Sequence, residues 1–184
     1  MELGQSSGLD EPSFLKLYSN TRGYYGRSPA EYKQHWLQVV DALGLQISIA
    51  AVEELVVLES DLWTRPNAEV LELAREIKGA GLGTAILSNM TFDLLGRLRE
   101  KLEWLREFEV QIWSCEQGHS KPDARIYSAC LTALGCKAER ALFFDDRSRN
   151  VEAAMGGGME AHVFESADQA RAIVRSGLNF HDLT

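Results

Sequence analysis

The spacing of hydrophobic and polar positions changes at Pro66. Before it, apolar residues recur every three or four positions, a period that predicts amphipathic helices. One helix is expected to start at Asp10, a second at Ser28 with a proline in its first position, and a third after Ser48. Residues 1–9 show no strand pattern. The first third of the chain is therefore predicted to be a helical bundle or cap.

After Pro66, helical patterns alternate with short apolar runs. The pattern predicts helices over residues 67–80, from Thr91, from Asp123 to Gly135, over 148–155 and over 166–176, and strands over 84–87, 110–113, 141–144 and 161–164. Such alternation is typical of an α/β fold in which a parallel sheet carries helices on both faces. We predict a helical cap subdomain over residues 1–64 and an α/β core over residues 65–184, read together as one domain with an inserted-type cap.

The composition excludes some functions. At 184 residues the chain is long enough for one sizeable core. Its net charge of −8 argues against nucleic acid as a partner, because binding to phosphate backbones requires basic patches. No apolar run approaches the length of a membrane span, and no signal peptide opens the chain. The three cysteines have no metal-type spacing, which fits reduced thiols in a cytoplasmic protein.

Two adjacent carboxylates follow the apolar run Ala141–Phe144. The run predicts a strand buried on both faces, with Asp145 and Asp146 at its carboxyl end, where open α/β sheets bind ligands. Adjacent carboxylates repel each other unless a cation neutralises them, and hard oxygen ligands suit Mg²⁺. The alternative is an acidic turn in which Asp146 caps the next helix.

Other polar groups follow the remaining strands. Ser88 and Asn89 come directly after the first predicted strand, and Lys121 lies in the loop after the second. Since carboxyl ends of parallel strands share one edge, these groups are expected near the aspartates. A hydroxyl with local amides, one ammonium and a carboxylate pair could bind phosphate together with Mg²⁺. Asn150, one helical turn further on, would support the site. Taken singly, each of these residues is also compatible with an ordinary cap, a loop lysine or an exposed helical side chain.

Three segments resemble motifs of the haloacid dehalogenase superfamily. Ile86–Asn89 is similar to the second motif, Ser120–Asp123 with Ile126-Tyr127 to the third, and Phe143–Asn150 to the fourth. The resemblance extends from about Pro66 to Phe164, and the helical first third resembles the end of a four-helix cap. The small capped phosphatases and the phosphatase domain of soluble epoxide hydrolases are the similar branch.

The resemblance implies a Rossmann-like α/β core and Mg²⁺-dependent phosphoester hydrolysis through an aspartyl-phosphate intermediate. It also implies roles for the site residues: phosphate binding for Ser88, Asn89 and Lys121, metal binding for Asp145 and Asp146, and support for Asn150. The expected substrate is a small phosphorylated molecule.

The first motif of the superfamily, an apolar strand ending in Asp-x-Asp, is missing from the sequence. Asp10 is the single early candidate, and we reject it because no apolar strand precedes it. Hydrolysis through a carboxylate nucleophile requires that group, so the polypeptide as written is expected to be inactive and to hold Mg²⁺ weakly. Either the sequence starts late or the chain is degenerate, and we favour the first explanation.

Three functional hypotheses follow. The first is a phosphatase-type hydrolase seen without its nucleophile segment. The second is a catalytically inactive module that binds phosphate or a partner through the same cleft. The third, a receiver-type phosphorylation domain, is disfavoured because receivers place their paired acids before the Ser or Thr and the Lys. A homodimer formed by strand exchange across an incomplete sheet is a further hypothesis.

Overall fold

The computed structural model describes residues 9–21, 29–63 and 66–177, and it divides the chain into two compact units. The first unit comprises residues 1–65 and 89–103, and the second comprises residues 66–88 and 104–184. Our prediction placed the division at residues 64 and 65. The structure adds the segment 89–103 to the first unit, because the helix in it contacts the helices over residues 29–42 and 49–63. The expectation for residues 1–9, apart from Leu9, and the predicted helix start at Ser28 fall outside the described residues.

The first unit consists of four described helices: α1 (Glu11–Thr21), α2 (Pro29–Ala42), α3 (Ile49–Trp63) and α5 (Phe92–Lys101). Predicted capping residues start α1 and α3, since Asp10 Oδ1 accepts from the Ser13 amide and Ser48 Oγ from the Ala51 amide. The helices bury one apolar cluster: Phe14, Leu17, Trp36, Val40 and Val52. The helical character predicted for the first third is confirmed for the described residues.

The second unit alternates helices with four short strands. In chain order the elements are α4 (Ala68–Gly79), β1 (Ala85–Ser88), β2 (Val110–Trp113), α6 (Ser114–Gln117), α7 (Ala124–Leu134), β3 (Leu142–Asp145), α8 (Ser148–Gly156), β4 (Glu160–Val163) and α9 (Ala167–Gly177). Short 3₁₀ turns cover Glu103–Glu107 and Ala138–Arg140. The α/β class and the strand positions, to within one residue, are confirmed.

The strands form two parallel pairs. β1 pairs with β2 and β3 with β4, and within the described ranges no hydrogen-bonded ladder joins β1 to β3. We expected one parallel sheet. In the described ranges the strands instead form two separate parallel pairs that pack on one core.

That core lies under both pairs. Its buried members include Ile112 on β2, Ile126, Tyr127 and Cys130 on α7, and Val151, Ala154, Met159 and Ala161. Gly135 closes α7, as predicted, with a φ of 63° that favours glycine. α7 contacts β1 and β2, and α8 contacts β3 and β4. The core that these two helices share therefore holds the two strand pairs next to each other.

One burial prediction is wrong. We expected the strand ending in Asp145 to be buried on both faces, but Leu142 is exposed and Phe143 and Phe144 are half-buried. β3 has one hydrogen-bonded neighbour among the described strands, so fewer side chains cover it than cover a central strand. None of the helices in the described ranges combines the length and apolar character needed to cross a membrane.

Candidate active site

Four of the predicted site residues lie near the carboxyl ends of strands in the second unit. Ser88 is the last residue of β1, and Asp145 is the last residue of β3. Lys121 lies in the loop between α6 and α7, and its peptide bond to Pro122 is cis. Asn150 lies in the first turn of α8. Parallel pairing acts only within each strand pair, and contacts of Lys121 join the end of β1 to the end of β3.

The Lys121 ammonium links β1 to β3. It donates to the backbone oxygen of Leu87 over 2.7 Å and to Oδ2 of Asp145 over 2.5 Å. The lysine side chain is 10% exposed and the aspartate side chain 4%. Lys121 is therefore a buried, paired cation and not the solvated loop lysine that a Lys-Pro dipeptide usually represents.

The Leu87 carbonyl lies on the edge of β1 that faces away from β2. The neighbouring Thr84 oxygen accepts from the Val110 amide, so it points towards β2. Peptide groups alternate between the two edges of a strand, which directs the Leu87 oxygen to the opposite edge. Lys121 thus occupies the edge where β1 lacks a strand neighbour among the described residues.

Asp145 is surrounded by hydrogen-bond donors. Its Oδ2 accepts from Lys121, while its Oδ1 accepts from the Arg147 amide at 2.9 Å and from Asn150 Nδ2 at 2.8 Å. Burial alone would raise the pKa of this carboxyl. Lys121, by hydrogen bond and charge, and then the Asn150 and Arg147 donors, outweigh burial and lower the pKa of Asp145. The carboxylate is therefore ionised at neutral pH and accepts hydrogen bonds at both oxygens.

Aromatic side chains form the floor of this network. The Lys121 Nζ lies 5.5 Å from the centroid of the Phe143 ring, within cation–π range. Tyr127 packs edge-on against Phe143, with centroids 5.6 Å apart, and its hydroxyl donates to the Asn150 backbone oxygen over 2.8 Å. Burial, and next the charge of Asp145, raise the pKa of Tyr127 to about 12.

Tyr127 lies in the segment similar to the third motif and Phe143 in the segment similar to the fourth, but the sequence assigns neither residue a role at the site. The one available signal was the tyrosine itself, because a buried tyrosine hydroxyl usually has a hydrogen-bond partner. Its partner lies 23 positions away in the chain, which local periodicity cannot identify.

Two further predicted residues, Ser88 and Asp146, take no part in the hydrogen bonds given above. Ser88 is half-buried, and its neighbour Leu87 makes the contact to Lys121. Asn89 belongs to the first compact unit, so its predicted role with phosphate stays a prediction. Asp146 is exposed, and the alternative in which it caps α8 is not observed, since Arg147 holds the N-cap position without a side-chain cap.

The described residues do not by themselves fit Mg²⁺. They contain no group of three or more His, Cys, Asp or Glu side chains that could hold a metal ion. Both oxygens of Asp145 already accept hydrogen bonds. Asp146 alone of the pair offers an exposed carboxylate.

Comparison with known proteins identifies the family. A protein-family model described as haloacid dehalogenase-like hydrolase matches residues 7–158. Among curated proteins, the sesquiterpene phosphatase astK of Aspergillus oryzae is 34% identical over 96 residues, covering 52% of this chain and 48% of the relative. The phosphatase MT3486 of Mycobacterium tuberculosis is 29% identical over 128 residues, covering 69% and 59%. The chain thus spans about half the length of these curated relatives.

A solved structure supports the fold. The L-2-haloacid dehalogenase RSc1362 superposes with a TM-score of 0.74 at 14% identity, covering 95% of this chain and 92% of that one. At this identity the similarity concerns the fold alone. With the family match extending over most of the sequence, the chain belongs to the haloacid dehalogenase-like hydrolase family.

Proposed function

We propose that this chain forms the core of a phosphatase-type hydrolase that acts on a small phosphorylated molecule. The buried Lys121–Asp145 pair at the strand ends is the observation that carries the proposal. Phosphatases among the relatives support the same reaction type. An acidic protein with a cation held at one edge of its strands suits a small anionic substrate better than a polyanion.

In this proposal Lys121 attracts and neutralises the phosphate group. Its position is determined by Leu87 O and Asp145, so little reorganisation is needed when charge develops on the phosphoryl oxygens. Asp145 then serves to orient the ammonium, and Asn150 orients Asp145. The Ser88 hydroxyl and the Asn89 side chain remain the proposed ligands of non-bridging oxygens.

The sequence as printed supplies no nucleophile. The one carboxylate of the network, Asp145, is engaged by a lysine and by amide donors, and an engaged carboxylate is a poor nucleophile. We therefore expect this polypeptide alone not to hydrolyse phosphoesters. An Asp-x-Asp segment with an apolar strand is the component that the proposed reaction still requires.

Mg²⁺ dependence belongs to the same proposal. Bound Mg²⁺ would supply charge stabilisation to the phosphoryl group. Asp146 is the proposed protein ligand from this chain, because it is exposed while Asp145 is occupied by Lys121. Further ligands would have to come from the segment that carries the nucleophile.

One observation favours a second candidate, a catalytically inactive binding module. The Lys121, Asp145 and Asn150 network is assembled in the chain at its printed length. A preformed cation site of this kind could bind phosphate without turnover. This candidate predicts phosphate binding by the printed chain and no hydrolysis after extension.

The test compares two proteins. The first is the chain as printed, and the second carries an N-terminal extension with an apolar strand and Asp-x-Asp, borrowed from a phosphatase relative. Hydrolysis of p-nitrophenyl phosphate is measured with and without Mg²⁺. We expect Mg²⁺-dependent turnover from the extended protein alone, and no turnover when its first Asp is replaced by Asn.

Two controls define the result. Lys121→Met in the extended protein should lower kcat by roughly 10²–10³-fold, the usual effect of removing one electrostatic stabiliser, whereas Lys137→Met, which changes an exposed lysine, should not. If the extended protein is folded with its added strand protected from hydrogen exchange and still shows no turnover, the phosphatase proposal fails. Calorimetry with inorganic phosphate then decides whether the binding module stands.

A further inference from the structure

The Tyr127 hydroxyl is a buried polar group that the proposed reaction does not use. Tyr127 is 4% exposed, and its hydroxyl donates over 2.8 Å to the backbone oxygen of Asn150 in the first turn of α8. The bond joins α7 to α8 across the core of the second unit. Phenylalanine would fill the same space, so what the hydroxyl adds is this one hydrogen bond.

The orientation of the Asn150 side chain depends mainly on the position of its backbone. The residue is 2% exposed, its Nδ2 donates to Asp145 Oδ1, and its Oδ1 is buried without a hydrogen-bond partner among the described atoms. Side-chain orientation therefore relies on one hydrogen bond and on where the first turn of α8 lies. The Tyr127 hydroxyl anchors that turn from the opposite helix.

Tyr127 reaches the same ion pair by a second route. Its ring meets the Phe143 ring edge-on, at an interplanar angle of 87°. The Phe143 ring lies beneath the Lys121 ammonium. The hydroxyl thus acts on the Asp145 side of the pair, and the ring acts on the Lys121 side.

We propose that Tyr127 is a positioning residue, whose hydroxyl and ring hold Asn150 and Phe143 so that Lys121 and Asp145 keep their buried geometry. Its importance for turnover rests on the proposed phosphatase function. Its effect on the geometry of the Lys121–Asp145 pair does not rest on that function and can be measured in the chain as printed.

The experiment removes the hydroxyl alone with Tyr127→Phe. NMR follows hydrogen exchange of the Asn150 side-chain amide and of the Lys121 ammonium, together with the backbone amides of Ile126 and Cys130. We expect exchange at Asn150 and Lys121 to become at least tenfold faster while those backbone amides change much less. Ser128→Ala is the matched control, because this exposed hydroxyl on the same helix donates only to Ala124 O and should leave all four rates unchanged.

A purely structural role gives a different result. If Tyr127→Phe accelerates the side-chain and backbone sites by the same factor, or leaves Asn150 and Lys121 unchanged, the proposal is overturned. If Tyr127→Phe fails to fold, p-aminophenylalanine at position 127 serves instead, because it retains a hydrogen-bond donor. It is expected to give wild-type exchange at Asn150 and Lys121. Faster exchange at these two sites in a folded p-aminophenylalanine variant also overturns the proposal.

The extended protein separates this proposal from the function. There, Tyr127→Phe should lower kcat with a smaller change in KM, since positioning of the ion pair is lost. If the extended parent has no turnover, the phosphatase function fails while the exchange data still decide the role of Tyr127. If the parent is active and Tyr127→Phe matches it in kcat, the positioning role in turnover is rejected.

Discussion

Lys121 and Asp145 form an ion pair across 2.5 Å with both side chains at least nine-tenths buried, although they are 24 positions apart in the chain. The pair connects the loop before α7 to the end of β3. Its members are further tied to Leu87 and Asn150.

Lys121→Met should destabilise the protein strongly. The change leaves the Asp145 carboxylate buried without its cation, and breaking a buried pair in this way typically costs about 3–5 kcal/mol. Urea unfolding followed by tryptophan fluorescence measures the loss. Lys137→Met, at an exposed position, should stay within about 0.5 kcal/mol. Equal, small effects of the two substitutions would show that the pair contributes little.

The stability of the protein should depend on pH through Asp145. Its pKa in the folded protein lies below the ordinary value of 3.8. The stabilisation is therefore fully present above about pH 4 and is lost as the pH falls through the folded pKa. The difference in unfolding free energy between wild type and Asp145→Asn should shrink over that range. Parallel curves for the two proteins would contradict this assignment.

The N-cap of α4 should contribute about 1 kcal/mol to the free energy of unfolding. Asn67 Oδ1 accepts from the amides of Glu69 and Val70, which satisfies two of the unpaired donors at the helix start. Asn67→Ala removes the acceptor, and Asn67→Asp keeps it. We expect the alanine variant alone to unfold at lower urea concentration, and equal midpoints would argue against a capping contribution.

Truncation of Ile126 tests the shared core. Ile126 is fully buried on α7 within the cluster that underlies both strand pairs. Ile126→Ala should cost roughly 2–5 kcal/mol, because it removes buried contacts and leaves a cavity. Met155, 58% exposed on α8, offers the comparison, and Met155→Ala should change stability little. A small loss at Ile126 would mean that the core relaxes to fill the space.

Local patterns predicted the elements well because their causes are local. The capping side chains of Asp10, Ser48 and Asp123 act within three residues, and Gly135 ends its helix through its own φ. Strand positions followed from apolar runs bounded by glycine and polar residues. The carboxyl-end placement of Asp145 followed from the apolar run that ends at Phe144.

The sequence could not assign different roles to the two adjacent aspartates. Asp145 and Asp146 are adjacent and chemically identical, and both were predicted as metal ligands. In the folded chain one is buried against Lys121 and the other is exposed. Because side chains alternate along a strand and its continuation, a single step in the chain separates an engaged carboxylate from an accessible one.

By itself, the sequence determined the α/β alternation, the helical first third, the family resemblance, and the lysine, asparagine and aspartates expected at one edge. Only the tertiary structure decided that β1 and β3 belong to separate pairs, that Lys121 is buried between them, and that Tyr127 anchors Asn150. The reason is physical: helices, caps and strands arise from neighbours within a few residues. The contacts of Lys121 and of the Tyr127 hydroxyl instead join groups 23 to 34 positions apart, which meet only when the core packs.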